Sequence, residues 1–200
     1  MLVREATFVS VDVETTGLDV RRDEIIAVAL VPIQAMKIRV RDAYYSMVKP
    51  QKYRVETMKY HGIGMDALRQ APTFQDIAQE LLRRCDGILV GHCVNLDYQF
   101  LRRHFKNAGV SFQRDVVDIA EVEKWIGQKT SHRPTCDELS LDALITRYGL
   151  KEHYRHHALA DAFFAAQIFQ IQMTKHGVPG VEQLLELLKN QKLCDASFLF

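Results

Sequence analysis

The stretch FVSVDVETTGLD, Phe8 to Asp19, sets the terms on which this chain can fold. Phe8, Val9, Val11 and Val13 are aromatic or β-branched and define a β-strand. Asp12 and Glu14 interrupt it, and on a strand residues two apart point to the same face. Two adjacent carboxylates are costly to bury, because desolvation and mutual repulsion add. The fold must set something positive against that face.

The rest of the chain supplies the setting. IIAVALVPI, Ile25 to Ile33, is almost wholly apolar and reads as a central second strand. In MKIRVRDAYYSMV, Lys37, Arg39 and Arg41 alternate with Met36, Ile38 and Val40, the pattern of a half-solvated third strand. Short links make these three an antiparallel meander. The pattern then turns helical. A short helix in VETMKYHGI ends near Gly62. A second, over TFQDIAQELLRRC, has Thr73 as its N-cap. GILVGH is a short buried strand, and LDYQFLRRHFKNAG is a helix stopped at Gly109. DVVDIAEVEKWIG passes from strand to helix, and LSLDALITRYGL is a helix closed by Gly149. HALADAFFAAQIFQIQMTKHG is a long, alanine-rich helix buried on more than one face, and Lys129 to Glu138 has loop composition. Strands first, then strands mixed with helices, give an α/β domain: a mixed sheet with helices on both faces.

Bulk properties bound the function. Two hundred residues make one domain with a full core, and a net charge of +1 leaves any nucleic-acid binding to local patches. The four cysteines, Cys85, Cys93, Cys136 and Cys194, form no C-x-x-C pair, which argues against zinc and a disulfide framework. MLVREATF runs straight into the first strand without a signal-peptide pattern, and no apolar run approaches the roughly 20 residues of a membrane span. The expectation is a reducing, cytoplasmic protein with no membrane partner.

Two further acids stand in unsuitable surroundings. Asp97 lies between an apolar strand and an apolar-periodic helix. As the first residue of that helix it could simply satisfy the helix N-terminus. Asp161 sits inside a largely apolar helix. Four carboxylates on separate buried elements make sense if they share cations, and oxygen-only ligands suit Mg²⁺ or Mn²⁺. Two such ions about 3.5–4 Å apart can clamp the attacking and leaving oxygens of a phosphodiester. A base is then needed. His156 precedes Asp161 by five residues; from a loop before the helix its ring could reach the site and take a proton. The competing reading is a surface histidine in the basic turn YRHH.

DVETTGLD, VGHCVNLDYQFL and HHALADA resemble, in order, the three motifs of the DEDD (DnaQ-like) 3′–5′ exonuclease superfamily. The closest subgroup is DEDDh, which includes the proofreading epsilon subunit of bacterial DNA polymerase III. MKYHGIGMDALRQAPTFQDI is also similar to the segment between the family's first two motifs. The resemblance covers roughly Ala6 to Gln170 and implies a ribonuclease H-like fold. It also implies that Asp12, Glu14, Asp97 and Asp161 hold two divalent cations, Mg²⁺ or Mn²⁺, with His156 as general base. His157 is one residue out of register for that role. It implies too that Thr15, Thr16, Gly17 and Leu18 approach the terminal nucleotide, with His61 and Leu96 lining the pocket or serving as ordinary packing. His92 fits a structural role. Cys93 and Leu96 stand where asparagine and phenylalanine are frequent.

The implied activity is hydrolysis at the 3′ end of DNA, single-stranded or frayed, releasing nucleoside 5′-monophosphates. The same chemistry on RNA is the alternative; the paired threonines of ETTG look more like the proofreading type. The intact five-residue set argues against a non-catalytic binding module. Lys37, Arg39, Arg41, Lys49, Lys52 and Arg54 could guide a phosphate backbone or be a wet strand face, and Arg102, Arg103 and Lys106 are equally ambiguous. Residues 1–175 read as the exonuclease domain and 176–200 as a C-terminal helical extension. There Val181, Leu184, Leu185 and Leu188 share a stripe that Leu187 widens, and the chain ends in Phe198-Leu199-Phe200. That extension either packs on the domain or docks to a polymerase, a clamp or a second copy.

Overall fold

The sheet is built around the acid-bearing strand. In the computed structural model, which describes residues 1–130, 132–151, 154–177 and 180–189, β1 (Thr7–Thr15) pairs antiparallel with β2 (Ile25–Gln34) and parallel with β5 (Ile88–Gly91). β6 (Val116–Asp118) extends the parallel side beyond β5. β3 (Lys37–Ile38) and β4 (Tyr44–Met47) both pair antiparallel with β2. The order is β3-β2-β1-β5-β6, with β4 also on β2. This is the mixed α/β, ribonuclease H-like sheet expected: an antiparallel meander followed by parallel strands. A 3-10 turn, Val3–Glu5, precedes β1 and buries Val3.

The third strand is not continuous. Arg39 donates its N–H to the Pro32 carbonyl at 2.8 Å, but Pro32 has no N–H to return. The ladder stops there. Residues Val40–Asp42 form a 3-10 turn, and pairing resumes only when Tyr44 faces Leu30. Lys37, Arg39 and Arg41 therefore do not form one strand face.

The helices are α1 (Met58–His61), α2 (Met65–Arg69), α3 (Phe74–Arg84), α4 (Val94–Asn107), α5 (Ile119–Lys129), α6 (Leu141–Arg147), α7 (Ala158–His176) and α8 (Val181–Lys189). Thr73 and Asp76 close a reciprocal capping box on α3. One core packs α3 and α4 against Val9, Val11, Val28 and Leu30. The other packs α5, α6 and α7 against Phe8, Ala29, Val31 and Ile33. β2 is apolar from Ile25 to Ile33 because both its faces are covered there. Phe8 and Phe169 meet with ring centroids 4.9 Å apart, fixing α7 over β1. Buried Glu123 joins α5 to α6 and α7 through Arg147, Tyr148 and Gln172.

α8 begins where the Val181 N–H reaches the Met1 carbonyl at 3.0 Å, and Val181 and Leu184 enter the second core. The side chains of Leu187 and Leu188, and Cys194 and residues 198–200, lie outside the described residues. Cys85 is a buried free thiol and Cys136 an exposed one, and Cys93 is buried. Among the described residues, no helix is long and apolar enough to cross a membrane.

Candidate active site

The parallel strands β1 and β5 end at a common edge, the usual place for a site in an α/β sheet. Asp12 pairs with Ala29 and Glu14 with Ala27, so both carboxylates leave β1 on one face. Ser10, on that same face, donates to the Ala162 carbonyl of α7 at 2.7 Å. The face therefore looks toward the start of α7, which carries Asp161. A register shift between Glu14 and Thr15 then turns the chain away.

Asp97 arrives from the other side of the sheet. α4 starts three residues before it, after Cys93 in the left-handed region, so Asp97 lies in the first turn and is not its first residue. Its Oδ1 accepts from the Val13 N–H at 2.9 Å, which fixes the carboxylate beside the acids of β1. β5 lies close enough to β1 that a Cβ on Gly91 would stand 2.8 Å from the Val11 carbonyl.

A cleft of about 440 Å³ opens over this edge. Asp12, Glu14, Asp97, Asp161 and His156 line it, as do Thr15, Gly17, Leu18, His61 and Leu96. Of the residues implied by resemblance, Thr16 alone does not. It is buried, donating to Asp23 and accepting from the Glu24 N–H. Gly17 is required less by any ligand than by Asp23: at φ 156°, a Cβ there would meet Oδ2 of Asp23 at 2.5 Å. Asp23 also accepts from the Asp19 N–H and pairs with Arg54, while Arg103 donates to its carbonyl. Arg54 and Arg103 thus brace the turn after β1.

His156 lies before α7 with φ 59°, outside the helix, as its proposed role needs. His157, the next residue, stacks on Tyr45 at 4.9 Å and does not line the cleft. His61 is held inside its own turn, accepting from the Ile63 N–H and contacting Thr57. His92 meets the Leu139 carbonyl at 2.9 Å, in keeping with a structural role.

The electrostatics are those of crowded acids. Burial first, then the charges of Asp97, Glu14 and Asp161, push the Asp12 carboxyl well above its ordinary value. Burial and then Asp161 raise Glu14 to about 7. Burial also raises Asp97 despite its hydrogen bond from Val13. The Arg155 guanidinium offsets part of this strain at Asp12 and Glu14. It pairs directly with Asp161 and, through Nε, with Asp142.

An all-carboxylate donor set of this kind fits a hard divalent cation, whose charge would remove the cause of the raised values. Among the described residues, no three His, Cys, Asp or Glu side chains converge at ligand spacing. Arg155 takes the position beside Asp161 instead. Sequence reasoning missed Arg155, Asp142 and Asp23. The only signal was an arginine next to the proposed base and two acids at element boundaries.

Fold and cleft define a ribonuclease H-like domain with an acidic site at the carboxyl end of its central strands. The chain belongs to the exonuclease family of the DnaQ-like superfamily, whose model matches residues 9–169. It is 32% identical over 200 residues to the PolC-type DNA polymerase III of Thermotoga maritima, covering 98% of this chain and 14% of the polymerase. It is 31% identical over 188 residues to the 3′-5′ exonuclease DinG of Staphylococcus saprophyticus, covering 91% of this chain and 20% of DinG. The chain thus spans a fifth or less of these relatives. E. coli exonuclease I in complex with a dA16 oligonucleotide shares the fold at TM-score 0.72 and 17% identity, over 92% of this chain and 43% of that one. Exonuclease X in complex with 5′ overhanging duplex DNA does so at TM-score 0.70 and 18% identity, over 90% and 98%.

Proposed function

We propose that this domain is a 3′–5′ exonuclease that removes nucleoside 5′-monophosphates from the 3′ end of single-stranded or frayed DNA. The observation that carries the reading is the meeting of four acids from three separate segments, with His156, in one cleft. Asp12, Glu14, Asp97 and Asp161 would hold two divalent cations, Mg²⁺ or Mn²⁺. When bound, such ions neutralise the acids and polarise the phosphoryl group. His156 takes the proton from the attacking water, and its place outside α7 leaves its ring free to do so. Leu18 and Leu96 offer the terminal base an apolar wall, backed by buried Phe100, with Thr15 and Gly17 on the turn beside it.

Residues 1–175 form the catalytic unit in this reading, working in the cytoplasm. Residues 176–200 are an extension that packs on the domain through Val181 and Leu184, with a polymerase or a second copy as its proposed partner. The relatives' names favour DNA. A 3′-exonuclease of this fold recognises the 3′ end of a histone mRNA stem-loop, which favours testing RNA beside it. Matched 3′-labelled and 5′-labelled DNA and RNA oligomers, with Mg²⁺, Mn²⁺ or a chelator, test the proposal. The expected result is a ladder shortening from the 3′ end of DNA that the chelator abolishes. Shortening of RNA alone would move the substrate to RNA, and no metal-dependent shortening of either would end the reading.

A further inference from the structure

Both oxygens of Asp161 are engaged by the segment that leads into α7, through Arg155 and His156. Oδ1 pairs with the Arg155 guanidinium, and Oδ2 accepts from the His156 N–H at 3.2 Å. The ion pair is shielded, with side-chain exposures of 12% for Arg155 and 10% for Asp161. The guanidinium takes one acceptor position of Oδ1, and its positive charge repels a dication brought beside it. An ion at Asp161 therefore competes with Arg155 for the carboxylate.

A buried guanidinium stripped of its partner would be costly. Arg155 has an alternative at hand. Its Nε already meets Asp142, at the first turn of α6, whose side chain is 60% exposed. Asp142 can keep the arginine paired at the rim of the cleft. Arg155 also adjoins His156, whose φ of 59° makes it the bend between this segment and α7.

We propose that Arg155 is a positioning residue that sets the cation affinity of the Asp161 subsite. It is an internal competitor that a divalent ion hands over to Asp142. This inference rests on the metal-binding reading of the four acids, and the test separates the two.

Mn²⁺ binding to the full chain is measured without nucleic acid, by calorimetry and by the spin-resonance signal of free Mn²⁺. Asp161→Asn should lose one site; if it does not, the site reading itself fails. Given that loss, Arg155→Gln should tighten Mn²⁺ on the order of tenfold, the scale expected for one nearby charge in a partly screened setting. Arg155→Lys, which keeps the charge, should stay near the parent and serves as the control should Arg155→Gln fold poorly. Asp142→Asn should weaken binding several-fold in the parent, because Arg155 then has only Asp161. In the Arg155→Gln background the same change should do nothing. A structural arginine would give weaker binding in Arg155→Gln, and this would overturn the proposal. So would an unchanged affinity in Arg155→Gln, or an equal loss from Asp142→Asn in both backgrounds, which marks a through-space charge effect.

Discussion

At the scale of single residues, the site separates two neighbouring histidines. His156 lines the cleft and His157 stacks on Tyr45. His156→Ala should cut oligonucleotide hydrolysis by about 10²–10⁴-fold, the usual contribution of a general base, while Mn²⁺ still binds. His157→Ala should change the rate little; steady-state rates of the two variants check the assignment, and a reversal would overturn it. Asp12→Asn should abolish hydrolysis and raise the thermal midpoint in the presence of a chelator. It removes a carboxylate that burial and three neighbouring charges already oppose. A lower midpoint in calorimetry would contradict that. These acids were legible in the sequence because each sat on an apolar element where a charge needs a reason. Arg155, Asp142 and Asp23 were not. A charge in a polar segment looks solvated until the fold supplies its partner, and Asp23 lies 2% exposed under a turn that reads as surface. Thr16 is the reverse case, a polar residue of a turn whose hydroxyl is held by Asp23 and Glu24 instead of facing the cleft.

At the scale of elements, periodicity gave the helices well because each buries one stripe, and β2 because it buries both faces. It failed at the third strand. The alternation from Met36 to Arg41 is real, but Pro32, on the neighbouring strand, lacks the N–H that would continue the ladder. The veto lies in a different segment from the pattern. The start of α4 was misplaced because Cys93 adopts φ 50°, a conformation that no residue preference announces. α8 carries a prediction at this scale. Leu184 is 1% exposed, within the core that joins α5, α6 and α7. Leu184→Ala should cost about 2–5 kcal/mol in denaturant unfolding, the range for a buried leucine. Hydrolysis per folded molecule should not change, since Leu184 does not line the cleft. A loss below about 0.5 kcal/mol would mean that the helix is not docked as described.

At the scale of the whole molecule, the crowded acids make stability a function of pH and metal together. Burial raises Glu14 and Asp118 to about 7, from 4.5 and 3.8 in the unfolded chain. A carboxyl whose folded value is raised binds more protons folded than unfolded between the two values. Each of the two must then lower stability as pH rises through that window, from about 4 to about 7, and Asp12 and Asp97, also raised, add to the fall. Each carboxyl loses about 1.4 kcal/mol per pH step within the window, so each contributes on the order of a few kcal/mol to the fall. This is the reverse of the acid denaturation usual for salt-bridged carboxylates. The two contributions can be told apart. Divalent ions would neutralise Glu14 with Asp12 and Asp97 and so flatten its share. Asp118 lies at the end of β6, where it accepts from the Ala120 N–H at 2.9 Å and caps α5. It does not line the cleft, and its share should persist in Mg²⁺. Asp118→Asn keeps an oxygen for that cap and cannot ionise, so it should remove the remaining slope. Thermal midpoints from pH 4.5 to 8, with chelator and with Mg²⁺, for the parent and Asp118→Asn, measure both contributions. A midpoint that rises with pH in chelator would show that the acids are compensated inside the protein, and the case for cations at this site would lose its electrostatic basis.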